Sequence, residues 1–291
     1  HHIRSSMGLT YDFGNQTSAS ISYSKRLQRP RGRQLNPFNN LSSNVNIFVG
    51  NPDLNPSFTD VIDLGYVKKW SKLTFSTSLY GNKTTDAIQF VRRESGDFQN
   101  GVPIILSSPI NLATEYRTGF EFTFNYSPYK WWKLNSNFNF FYVETNGDFN
   151  YIDFNGNPVS QNFDNSATSW FTRLTSKITL PYKIDWQTNA TYNGSQRNAQ
   201  GRSLGIFSMN LAFSKDVLKD KGTIALNVSD VFNSRKRIME TYIPGLVESY
   251  GEMQWRVRQI NLSFTYRFNI QKNEREKPRK SLQEDGGDFP G

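Results

Sequence analysis

The chain has 291 residues, no cysteine and only two histidines, His1 and His2, so disulfides, thiolate metal sites and imidazole-based catalysis have nothing to work with. Aromatic residues make up 15% of it beside a net charge of +9 and a mean hydropathy of −0.63. No run of about 18 apolar residues occurs, which excludes a transmembrane helix but not a transmembrane strand, because a spanning strand needs only about 9–11 tilted residues.

The sequence begins without Met or a signal peptide and reads as a mature product or a fragment, with His1-His2 either native or a tag remnant. Strands are expected over 3–12 and 15–26, joined by a tight Gly14-Asn15 turn flanked by Tyr11 and Phe13. A long loop, 27–57, follows. It opens on a basic run holding Arg29, Arg31 and Arg33 and closes on the proline-stiffened "GNPDLNP" (50–56). Strands 58–68 and 72–91 flank a short turn at 69–72, next to Tyr66 and Trp70. After a loop at 93–111, the segment 112–126 alternates without a break. Tyr116, Phe120, Phe122, Phe124 and Tyr126 share one face, and Arg117, Glu121, Thr123 and Asn125 share the other.

A short turn at 127–131 carries Tyr129 and Trp131 and leads, with Trp132, into strand 131–145, where Asn135, Asn137 and Asn139 oppose Phe138, Phe140 and Tyr142. Loop 146–167 contains "NGDFNYIDFNGN", whose Asp and Asn spacing departs from the calcium-loop pattern and reads as a polar loop. Strands 167–181 and 184–197 meet at a turn with Tyr182 and, just beyond it, Trp186; Arg173, Lys177 and Asp185 fall on the polar face. Strand 203–215 follows a shorter connection at 198–202. A short turn at 216–222 then leads to strand 222–238, which ends on Arg235, Lys236 and Arg237. Loop 239–252 and strand 253–268 complete the pattern, with Arg267 on the polar face and Phe268 last. The remainder, 269–291, is charged, poor in apolar residues and broken by Pro278, so it is expected to need a periplasmic partner or the lower barrel rim to order it.

Two one-faced sheets packed as a soluble sandwich also alternate. The strands here are about 10 residues or more, against about 5–6 in globular proteins, and the Tyr and Trp residues collect beside the short turns. Both features favour an all-β transmembrane antiparallel up-and-down barrel. Short turns are then periplasmic, with an aromatic girdle of Tyr66, Trp70, Tyr126, Tyr129, Trp131, Trp132, Tyr182, Trp186 and Phe268. Long loops are extracellular and carry the basic rim Arg29, Arg31, Arg33, Arg235, Lys236 and Arg237. That rim could meet lipopolysaccharide phosphates or an anionic ligand rather than nucleic acid, or form a solvated or internally paired border. About 11 strands are counted. Because complete bacterial barrels have even numbers and 22 is the size of plugged transporters, 1–268 is expected to be half of a 22-stranded barrel, with 269–291 a periplasmic tail.

The segments "SYSKRLQRP" (22–30), "LNPF" (35–38), "GNPDLNP" (50–56), "DLGY" (63–66), "VSDVFN" (228–233) and "SFTYRF" (263–268) follow one another in an order that resembles the C-terminal barrel half of TonB-dependent receptors, nearest to their outer-membrane β-barrel branch. The resemblance implies an upstream plug and TonB box, the TonB system as partner, and import of a scarce nutrient. It also implies that Phe268 belongs to the closing-strand signal read during barrel assembly. No cofactor, metal or catalysis is expected; Glu115 and Glu121 read as wall carboxylates that pair with Arg117. The lumen candidates for ligand contact are Arg117, Glu121, Arg173, Lys177, Asp185 and Arg267. The rival reading is a non-transporting scaffold in an outer-membrane secretion, assembly or surface-lipoprotein complex.

Overall fold

A computed structural model describes residues 5–38, 45–243 and 247–268. Eleven strands follow one another in a single antiparallel sheet, each hydrogen-bonded to the next in the chain's wall. They are β1 (Ser5–Gly14), β2 (Thr17–Gln28), β3 (Ser57–Lys69), β4 (Leu73–Gln99), β5 (Val102–Tyr129), β6 (Trp132–Asn146), β7 (Asn165–Leu180), β8 (Ile184–Asn193), β9 (Ile206–Val217), β10 (Gly222–Ser229) and β11 (Gln259–Tyr266). The sheet is open, with β1 and β11 at its edges. Among the described residues no helix is long and apolar enough to cross a membrane.

The register turns alternation into faces. One row across the sheet reads Leu9, Ile21, Leu64, Leu79, Phe120, Phe140 and Trp170, apolar at every strand. The opposite face carries the row Ser76, Thr123, Asn137, Arg173, Thr191 and Ser208. On the apolar face Phe120, Phe122 and Phe138 pack as near neighbours, with ring centroids 5.1–5.9 Å apart. Leu9, Leu79 and Ile62 stay more than half exposed. Apolar side chains that cover one another but bury little belong against lipid.

The short connections are tight because the chain accepts left-handed backbone there. Gly14, Asn15 and Gln16 have φ of 75°, 48° and 56°, and Leu218, Lys219 and Asp220 have 53°, 54° and 67°. The other end is more structured than the sequence suggests. The loop expected at 93–111 is instead the top of a β4–β5 hairpin whose strands run 27 and 28 residues. Its tip is Asn100-Gly101 with φ of 51° and 80°, the positive-φ pair that a two-residue hairpin turn demands. At about 3.3 Å per residue each strand is longer than a bilayer core requires, and bulges at Thr84/Ala87 and Glu94/Phe98 interrupt the pairing in the upper part of this arm.

Five further expectations change as well. Loop 146–167 holds a hairpin of Asp148–Ile152 with Pro158–Asn162, and loop 239–252 holds one of Arg237–Ile243 with Val247–Met253. The strand expected over 222–238 stops at Ser229, because Asp230 has φ of 52° and its carboxylate accepts the N–H groups of Ser234 and Arg235. The strand expected over 253–268 begins only at Gln259, and that over 184–197 ends at Asn193. Residues 3–4 and 269–291 lie outside the described residues.

Above the wall, Gln196–Asn198, Gly201–Ser203, Arg237–Ile243 and Val247–Met253 make a four-stranded crown sheet. Asn46–Phe48 lies parallel to Ile105–Ser107 on the free flank of β5. Among the described residues, the buried aliphatic and aromatic side chains other than proline are Leu54, Val61, Ala87, Val91, Ile105, Ala113, Phe163 and Ile243, all toward this end. The small core therefore lies where the strand tops and returning loops meet, with only Ile243 of the eight in the crown sheet itself.

Candidate functional site

The lumen candidates chosen from alternation lie on the polar face, but they do not converge. Arg117 on β5 meets Glu115 at 3.3 Å. Glu121 accepts from Asn139 at 3.3 Å. Arg173 lies over the Phe171 ring at 5.7 Å. Lys177 on β7 and Asp185 on β8 pair at 3.3 Å, and the Thr179 hydroxyl also donates to Asp185. Arg267 sits at the short-turn end, 3.9 Å from Asp216, and donates to Thr223 at 2.8 Å. They are rungs down a wall rather than one centre.

Between these charges the polar face is paved with neutral groups that satisfy one another across strands. Asn135 donates to Asn125 at 2.5 Å and Asn137 to Thr123 at 3.0 Å. The Tyr80 hydroxyl donates to Asn139 at 3.0 Å. A side chain at Gly119 would strike that Tyr80 ring and the Phe140 carbonyl, so glycine is what lets Tyr80 lie flat across β5.

One of the candidates, Arg117, lines a cavity of about 220 Å³ between the polar face and the crown. Its floor is β5, β6 and β7, through Glu115, Arg117, Phe141 and Asn165. The Arg117 guanidinium lies over the Phe141 ring at 4.8 Å. Its roof is the strap 196–200, fixed by Asn165 Nδ2 donating to the Arg197 carbonyl at 3.2 Å. Gln200 is buried and acts as the latch. Its side-chain amide accepts the Arg92 N–H and donates to the Arg92 carbonyl, both at 3.2 Å. Its own carbonyl accepts from the Tyr242 N–H at 2.9 Å. The Arg92 guanidinium donates to Thr241 at 2.8 Å, and burial lowers its pKa below the ordinary arginine value. Sequence reasoning missed this strap. Its signal was three glycines, Gly194, Gly201 and Gly205, where added side chains would strike the Trp170 carbonyl, the Glu240 carbonyl and the Tyr192 ring.

The basic rim divides. Arg31 precedes the short helix Gly32–Leu35, and Arg33 lies over Phe48 at 5.0 Å. Lys236 pairs with Glu252 at 2.7 Å, which raises its pKa, and Arg237 opens a crown strand. Arg235 gives its N–H to Asp230, and Arg29 is also engaged. At the short-turn end, Tyr129, Trp131 and Trp132 stack in sequence at 5.1 and 6.3 Å, and Lys72 covers Tyr129. Trp70 lies under Lys68, Tyr182 is the exposed tip of the β7–β8 turn, and Phe268 packs edge-on to Tyr266. Trp186 stacks on Phe213 within the apolar face. Tyr126 pairs with Leu73 near the turn, whereas Tyr66 lies further along its strand, opposite Thr77.

Two of the blocks that carry the resemblance act as latches for returning loops. In "GNPDLNP", the Gly50 and Asn51 N–H groups donate to the Asn36 and Gln34 carbonyls, and a side chain at Gly50 would overlap Asn36. The Asn55 N–H donates to Asn111 Oδ1 at 2.7 Å, and Asn111 Nδ2 returns bonds to the Asn55 and Asp86 carbonyls. In "SDVFN", Asn233 Oδ1 accepts from Gln254 and the Arg258 N–H, holding the returning chain against the loop. In the 148–162 hairpin, Asp153 accepts from the Asn155 and Asn157 N–H groups, spending its carboxylate on the turn. Among the described residues no group of three or more His, Asp or Glu could hold a metal ion.

Residues 6–266 match the model of the outer membrane protein beta-barrel family. No curated protein matches the chain. Among solved structures, the ferric enterobactin receptor PfeA of Pseudomonas aeruginosa is similar over 91% of this chain and 40% of its own, at 12% identity and a TM-score of 0.56. The siderophore receptor PirA of the same organism is similar over 80% of this chain and 39% of its own, at 12% identity and a TM-score of 0.54. The copper transporter OprC covers 88% and 38%, at 14% identity and a TM-score of 0.51. At such identities the likeness is one of fold, and the chain spans about two fifths of those proteins' length.

Proposed function

The chain belongs to the outer membrane protein beta-barrel family, and from that membership we propose that it is half the barrel of a TonB-dependent receptor, taking up a ligand beneath its long hairpins and passing it along the polar face to the periplasm. Its place is the bacterial outer membrane. Short turns in such barrels face the periplasm and long connections face outward, which puts the crown and arm outside the cell. The cavity beneath the Gln200-fastened strap carries the reading, because it lies where the extracellular crown meets the polar face.

The unpaired edges support the half-barrel. Both β1 and β11 run toward the short-turn end, and open strand edges are not tolerated in lipid. Antiparallel closure therefore calls for an odd number of further strands, the first and last running outward. A plug and the TonB system are the partners this reading brings with it, with lipopolysaccharide phosphates at the basic rim and 269–291 on the periplasmic side. The work is transport rather than catalysis.

The test is uptake by cells expressing the full-length protein. Growth or uptake of a scarce solute should require both the protein and TonB. Uptake indifferent to TonB would overturn the receptor reading. Charge reversal at Arg29, Arg31 and Arg33 should weaken lipopolysaccharide co-purification, and unchanged co-purification would remove the rim's role.

A further inference from the structure

We infer that the cavity under the strap accepts a neutral, hydroxyl-rich solute of the saccharide type; this rests on the receptor reading and names its ligand class. The argument begins with what the cavity can still offer once its internal bonds are counted. Glu115 and Arg117 meet through one oxygen and one nitrogen, 3.3 Å apart, and neither side chain is fully buried. The second carboxylate oxygen remains as an acceptor, and the rest of the guanidinium fork as donors. Asn198 has its oxygen committed to the Gln200 N–H at 3.0 Å, which leaves its amide N–H₂ to donate. Gln89 and Gln196 line the same space.

Apart from Arg197 on the strap, whose carbonyl accepts from Asn165, the groups left over are thus acceptors and donors side by side, on neutral amides or on a charge pair that already cancels. A hydroxyl both donates and accepts, so two neighbouring hydroxyls can bridge the Glu115 oxygen and the Arg117 fork without adding charge. An anion placed at this pair meets the opposite situation. It would compete with Glu115 for Arg117, whose guanidinium already lies against Phe141, and would leave a carboxylate unpaired in a half-enclosed space. Phe90, 44% exposed at the cavity wall, supplies an apolar face for the C–H side of a sugar ring.

The path below repeats this chemistry. The rungs beneath the cavity are the Asn137–Thr123 and Asn135–Asn125 pairs; the cations Lys177 and Arg267 have carboxylates beside them, and Arg173 lies over the Phe171 ring. Such a wall offers a hydroxylated solute hydrogen bonds to exchange at most of its rungs.

The test is binding to the purified full-length receptor in detergent. Probes are an array of neutral oligosaccharides spanning the common hexoses and pentoses, citrate as the anion, and triglycine as the zwitterion. The expected result is saturable binding of a neutral oligosaccharide, weakened about tenfold or more by Glu115→Gln and by Arg117→Gln, since each removes a group that the ligand hydroxyls bridge. Lys219→Gln, in the short turn between β9 and β10, should leave that affinity unchanged. Binding of citrate or triglycine with no neutral oligosaccharide bound would overturn the inference, as would silence across the whole array. TonB-dependent uptake that persists in either case leaves the receptor reading standing. Oligosaccharide binding without TonB-dependent uptake removes the receptor reading and keeps the ligand class.

Discussion

The wall and the crown are built from the same chain by opposite rules. The wall repeats one instruction, apolar outward and polar inward, over eleven strands, and buries almost nothing of its own. The crown and the connections around it have few repeats, yet with the strand tops beneath them they hold the buried apolar side chains and long-range latches such as Asn111–Asn55 and Arg92–Gln200. The difference follows from solvent. In lipid the bilayer supplies the apolar phase, so alternation is enough once backbone groups are paired. In water the long connections must bring their own core and satisfy every polar group they bury.

The comparison breaks most visibly at a single wall position. Phe122→Arg on the apolar face should cost about 2–4 kcal/mol if it lies near the bilayer midplane, whereas Asn137→Arg on the opposite face should be nearly neutral; reversible unfolding in lipid vesicles checks both. Equal costs would mean that the two faces meet the same environment. In the crown the largest effect is expected at Asp230, which is 3% exposed and accepts two backbone N–H groups. Asp230→Ala should cost about 2–3 kcal/mol and free the 230–236 turn, read as faster amide exchange at Ser234 and Arg235 with wall amides unchanged. Asn111→Ala removes three bonds that hold the "GNPDLNP" return and should cost about 1–2 kcal/mol, visible as exchange at Asn55.

The smallest effect is a pH response confined to the 148–162 hairpin. The Asn157 backbone N–H, with its side chain and neighbouring amides, holds the Asp153 carboxyl below the usual carboxylate range. A carboxylate depressed in the folded state adds stability above its unfolded value, about pH 4, and loses it as pH falls through the depressed one. The 148–162 hairpin tip should therefore loosen only in strong acid, and Asp153→Asn should loosen it at neutral pH. Exchange at the Asn155 and Asn157 amides that does not change with pH would contradict this.

The same contrast explains how much could be read from residues alone. Alternation in 112–126 and 131–145 gave strands, faces and their order, because a period of two is a local signal. The Asn100-Gly101 turn was equally legible and still hid inside an assumed loop, because the run 93–111 breaks its alternation at bulges and carries a small core of its own. The strand after Gly222 was drawn too long because Val228, Val231 and Phe232 continue the apolar texture past Asp230, whose turn depends on bonds that come into view only once the chain has folded. The cavity was half legible. Arg117 stands out on the polar face, but Gln200 reaches Arg92 from 108 residues away, and no local pattern announces a contact of that kind.

These 291 residues contain no cysteine, so site-directed labelling of the wall measures the central claim directly. Single cysteines at 116, 117, 118, 120, 121, 122, 123 and 124 of the full-length protein, in native outer membranes, can be spin-labelled and probed for collision with oxygen and with a water-soluble relaxant. Positions 118, 120, 122 and 124 should favour oxygen, and 117, 121 and 123 the water-soluble relaxant. The period of two should fade at 116, where the row Lys25, Asp60, Lys83 and Glu144 marks the end of the apolar band. Equal access of the water-soluble relaxant to both sets would contradict a wall with one face in lipid and one toward a polar lumen.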